Sequence, residues 1–93
     1  MPKKVQASHI LVKTESEANV IYFDVTHGAS FEKTAMEKSL CPPKKRGGDL
    51  GWFGRGQMVK EFENAAFSME KGQISRPVKT QFGWHIIKLT DIQ

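Results

Sequence analysis

Gly47-Gly48-Asp49-Leu50-Gly51-Trp52-Phe53-Gly54-Arg55-Gly56-Gln57-Met58-Val59-Lys60-Glu61-Phe62-Glu63 is the stretch from which the rest of this chain can be organised. Five glycines fall within residues 47–56. Glycine tolerates positive φ and close backbone approach, so the segment reads as tight turns around one short strand, Leu50 to Phe53. Leu50, Met58 and Phe62 bracket those glycines. A glycine-rich shelf carrying Leu, Met and Phe describes a groove for an extended apolar peptide.

Outward from this block the order of elements is βααβαββ. Val5 to Lys13, rich in Val and Ile, reads as a strand, and Thr14-Glu15-Ser16-Glu17 matches a capping box that starts the first helix. Ala18, Ile21, Tyr22 and Val25 fall at i, i+3, i+4 and i+7, a stripe that predicts burial against the sheet before Gly28 ends the helix. Ser30 caps a shorter second helix with Phe31, Ala35 and Met36 as its expected buried side; Pro42-Pro43 excludes further helix. Val59, Phe62, Ala65, Ala66 and Met69 mark a third helix ended by Gly72. Two strands follow, Ile74 to Thr80 and Trp84 to Asp91, joined by a turn at Gln81-Phe82-Gly83. Hairpin-like final strands and helices between distant strands predict an α+β fold with a four-stranded, mainly antiparallel sheet covered by three helices.

At 93 residues, 39% hydrophobic and 26% charged, the chain has the size and composition of one globular domain, expected to span 1–93. No apolar run matches a signal peptide or a membrane span, and one cysteine, Cys41, excludes an internal disulfide. A cytoplasmic address, no membrane partner and a monomer are the expectations. The net charge is +4, and Lys44-Lys45-Arg46 is the one basic cluster. It has no interleaved aromatics, so a solvated loop is expected and a nucleic-acid partner is not.

Strand alternation places His9 with Val5, Ala7 and Leu11, and His85 with Ile87 and Leu89. Either histidine alone reads first as a hydrogen-bonded core residue. Two on neighbouring strands can bond each other and fix each other's tautomer. Thr80, just before the last turn, is placed to orient one imidazole, although a β-branched residue also simply fills a strand. Cys41 precedes Pro42-Pro43 and stands near three cations, surroundings that lower a thiol pKa; buried free cysteines are more commonly inert.

Three segments together resemble the parvulin-type peptidyl-prolyl cis/trans isomerases: Ala7-Ser8-His9-Ile10-Leu11-Val12-Lys13, the block 47–63, and Gln81-Phe82-Gly83-Trp84-His85-Ile86-Ile87. The likeness covers nearly the whole chain and is strongest to the small single-domain bacterial-type members, with no sign of accessory domains. It implies an FKBP-like fold and no cofactor. It implies a catalytic set of His9, Cys41, Thr80 and His85, and a proline-ring site of Leu50, Met58 and Phe62 with Phe82 at the rim. Proline-containing, flexible polypeptides are the implied partners and folding assistance the implied role.

The phosphoprotein-directed branch has a basic cluster after the first strand. Here Lys13 is followed by Thr14-Glu15-Ser16-Glu17, so an apolar or uncharged residue before proline is expected. Three other readings compete. A non-catalytic chaperone module would use the same groove, with Met58 and Phe82 expected to be exposed. A thiol hydrolase on Cys41 lacks an orienting Asn or Asp, and a metal site from His9, Cys41 and His85 lacks a short ligand pair.

Overall fold

The computed structural model describes residues 2–40 and 47–93. Cys41 and the Lys44-Lys45-Arg46 cluster lie outside the described residues. The elements are β1 (Lys4–Val12), α1 (Glu15–Thr26), α2 (Phe31–Lys38), β2 (Asp49–Gly54), α3 (Lys60–Phe67), β3 (Val78–Thr80) and β4 (Gly83–Ile92). The sheet order is β2-β1-β4-β3 and every pair is antiparallel. The first and last strands of the chain are thus central neighbours.

Local chemistry sets the helix starts. The Thr14 hydroxyl accepts from the Glu17 N–H and so caps α1, and the Glu17 carboxylate reaches back to accept from that same hydroxyl. Ser30 Oγ accepts from Lys33 N–H at the start of α2. Each helix then buries one face. Ala18, Ile21 and Val25 of α1 and Phe31 and Ala35 of α2 pack on Ile10, Val12 and Ile86 of the sheet. Phe62, Ala66 and Phe67 of α3 cover the other face, against Val5, Ala7, Phe53, Ile87 and Leu89. Burying each such side chain contributes ~1.5–3 kcal/mol, so the sheet is held from both sides.

Three expectations are corrected. Met36 is 53% exposed, because Phe31 and Ala35 already fill the contact of this two-turn helix. α3 ends at Phe67, well before Gly72, although Met69 remains buried beyond it. The strand expected over 74–80 is regular only at Val78–Thr80. Pro77 has no N–H to donate, and upstream of it the Ile87 N–H bonds the Ser75 hydroxyl, in place of a backbone carbonyl. The Ile74–Lys88 bridge, with Ser75 N–H donating to Ile87 O and Leu89 N–H to Gln73 O, keeps this segment beside β4.

Candidate active site

β1 and β4 pair with His9 opposite Ile87 and Leu11 opposite His85, so the two histidines are diagonal neighbours on one face. Their Nδ1 atoms are 2.9 Å apart and their rings are stacked 17° from parallel, both nearly buried. Phe62 presents its ring edge-on to each, at centroid distances of 5.5 Å and 5.2 Å. His85 Nε2 lies 2.7 Å from Thr80 Oγ1, and that oxygen accepts from the Phe82 N–H at 3.1 Å.

A hydrogen bond between two Nδ1 atoms requires one ring protonated there and the other at Nε2. If Thr80 O–H donates to His85 Nε2, then His85 Nδ1–H donates to His9 and only His9 Nε2 is left unpartnered among the described residues. The reverse arrangement also leaves the Thr80 proton without an acceptor there. The first therefore satisfies more groups. Burial lowers both histidine pKa values to about 4, His9 also through the charge of His85. The pair is neutral at pH 7.

Above this floor opens a cavity of about 520 Å³. Leu50, Met58, Phe62 and Phe82, the groove residues expected from the sequence, all line it together with His9 and His85. Phe82 is 59% exposed at the rim, but Met58 is half-buried, a correction, because it packs against the core under α3. Leu11, Leu40, Gln57 and Val59 also line the cavity. Leu11 was legible from its alternation with His9. Leu40 is delivered by a tertiary contact: Leu11 N–H donates to Ser39 Oγ and Leu40 N–H to Leu11 O.

Leu50 reaches the cavity through an irregularity. Ala7 pairs with Gly51 and Ser8 with Asp49, so Leu50 is the extra residue of a β-bulge. Counting back from buried Phe53 by strict alternation would put Leu50 on the opposite face. Gly51, at φ 72°, makes the bulge, and the Asp49 carboxylate accepts from the Gly51 N–H at 2.8 Å. No group of three or more His, Cys, Asp or Glu that could hold a metal exists among the described residues.

A family model described as rotamase, PPIC-type PPIase domain, matches residues 3–91. The foldase protein PrsA of Geobacillus sp. (strain WCH70) is 54% identical over 95% of this chain, but the match takes in 32% of that protein. The chain spans about a third of the length of such curated relatives. The peptidylprolyl isomerase PrsA from Bacillus anthracis superposes with a TM-score of 0.97 at 47% identity, over 99% of this chain and 43% of that one. NmPin, the parvulin of Nitrosopumilus maritimus, superposes with a TM-score of 0.87 at 43% identity, over 98% of this chain and 99% of that one. A matched domain model over almost every residue and a parvulin of the same extent agree with the buried histidine pair and its apolar cavity: the chain belongs to the PPIC-type peptidyl-prolyl cis/trans isomerases, the parvulins.

Proposed function

We propose that this domain rotates Xaa-Pro bonds in flexible, unphosphorylated polypeptide segments without forming a covalent intermediate, and acts as a monomer in assisting folding. The observation that carries the reading is one apolar cavity bounded by Leu50, Met58 and Phe62 over an uncharged histidine floor. The relatives named foldase protein support the folding role.

Rotation about the peptide bond meets a barrier of ~18–20 kcal/mol, and no bond has to be made or broken to lower it. Twisting ends amide resonance, so charge drains from the carbonyl oxygen toward nitrogen and the amide becomes less polar. A pocket that strips water from the amide and grips the proline ring favours the twisted form over the planar one. Leu50, Met58 and Phe62 supply the grip. The neutral His9–His85 pair, held by Thr80, is a rigid floor whose lack of charge avoids stabilising the polar planar amide. Each ~1.36 kcal/mol of preference for the twisted form gives a tenfold rate gain.

The exposed Phe82 and the 54% exposed Leu40 at the rim favour one second reading, a holding module that binds unfolded chains without turnover. An Xaa-Pro isomerisation assay with wild type and Met58→Ala, run beside an aggregation assay, separates the two. Turnover that falls with Met58→Ala is expected. Aggregation suppressed without any isomerisation would establish the holding module instead, and an acyl adduct trapped on Cys41 would establish a thiol hydrolase.

A further inference from the structure

Two side chains that do not touch the cavity hold the loop that shapes it. Residues 55–59 join β2 to α3 and bring Met58 into the lining of the cavity that Phe62, fixed on α3, also lines. The start of α3 has no side-chain cap. Instead Glu63, in the second turn, folds back over the loop. Its Oε1 accepts from the Gly56 N–H at 2.5 Å, and its Oε2 accepts from Arg55 Nη1 at 3.0 Å. The Gly56 bond, followed by Arg55, lowers the Glu63 pKa despite the opposing effect of desolvation. The Arg55 guanidinium also lies 4.6 Å from the centre of the Phe67 ring, one turn further along the same helix. Gln57 Oε1 accepts from the Gly54 N–H at 2.8 Å and closes the loop on itself.

We infer that Glu63 and Arg55 are positioning residues that set the separation of Met58 and Phe62, and thereby select the five-membered proline ring. The inference rests on the cavity being the proline-ring site. Arg55 is 45% exposed, and ion pairs so open to water contribute little to global stability. What the pair fixes is a loop that contains left-handed Gly56 and that Gln57 closes on Gly54 without tying it to α3. Released from Glu63, the loop can lift Met58 away from Phe62 and admit a larger ring.

The test compares Xaa-Pro peptides with the same peptides carrying pipecolic acid, whose ring has one more methylene. An extra methylene in a close-fitting apolar site costs about tenfold or more in kcat/KM, and that preference for proline is expected of the wild type. Glu63→Ala should bring it below about threefold, with the proline rate falling and the pipecolyl rate holding or rising. Glu63→Gln should lie between, because its amide oxygen still accepts from Gly56 but cannot pair with Arg55. The Met58 methyl resonance should shift in both variants. A Glu63→Ala protein that melts lower but keeps the wild-type preference overturns the inference and leaves a structural clamp only. If Met58→Ala leaves kcat/KM untouched, the assignment of the cavity fails first, and the inference falls with it.

Discussion

His9 Nδ1 and His85 Nδ1 stand 2.9 Å apart on the two central strands, with each ring only 4% exposed. Their pKa values of about 4 lie below the ordinary 6.5, chiefly because burial penalises the charged form. The unfolded chain therefore takes up protons between pH 6.5 and 4 that the folded chain refuses, and stability falls as pH falls through that window. The slope is about 1.4 kcal/mol per pH unit for each histidine, and these groups contribute no slope above about pH 7. Urea midpoints at pH 7, 6 and 5 should decline in that order. Equal midpoints at all three would show that the pair titrates normally.

Thr80 Oγ1 serves two groups at once, His85 Nε2 and the Phe82 N–H. Thr80→Val keeps the shape and removes both bonds, leaving buried polar atoms unpaired at a cost of about 1–3 kcal/mol. Isomerisation should fall as well, since the His85 tautomer is no longer set and Phe82 is no longer tied to the floor. A wild-type imidazole NMR spectrum in Thr80→Val would dismiss the relay.

Much of this was readable because short-range chemistry decides it. The Thr14–Glu17 and Ser30 caps depend on residues three apart, and the facing of His9 and His85 depends on alternation within one strand. Thr80 needs only the tight turn at Gln81-Phe82 to reach His85. Other features join distant segments. Leu40 reaches the cavity through Ser39 and Leu11, and Glu63 reaches Gly56 across a loop whose course no local pattern fixes. Leu50 lies between these cases: the surrounding glycines announced irregular backbone, but only the pairing of Ala7 with Gly51 and Ser8 with Asp49 locates the bulge that turns it inward.

Two glycines of that block should differ sharply in their tolerance of a methyl group. Gly48 and Gly51 both have positive φ, 83° and 72°, which costs an L-residue roughly 1–2 kcal/mol. A Cβ on Gly51 meets nothing within 4 Å, whereas one on Gly48 would lie 2.2 Å from the His9 carbonyl oxygen. Relief requires moving β1 beside the histidine pair. Gly51→Ala should thus lose only the conformational cost, and Gly48→Ala more than about 3 kcal/mol. Urea unfolding measures both; equal losses would refute the close approach.

Phosphate on the residue before proline should not raise kcat/KM. Binding a phosphate strongly takes a guanidinium, an ammonium or several converging N–H groups. The described residues lining the cavity include no Lys or Arg, and its exposed apolar side chains are Leu40 and Phe82. β1 leads directly into α1, whose first turn carries exposed Glu15 and Glu17 where a phosphate-directed enzyme would place cations. A dianion approaching that turn meets like charge, with an influence that reaches about 8 Å at physiological ionic strength and further in dilute buffer. Matched Ser-Pro and phosphoserine-Pro peptides should therefore show equal or lower kcat/KM for the phosphorylated form, with any deficit largest at low salt. A clear gain on phosphorylation would overturn this reading and mean that cations other than the described lining residues reach the bound peptide.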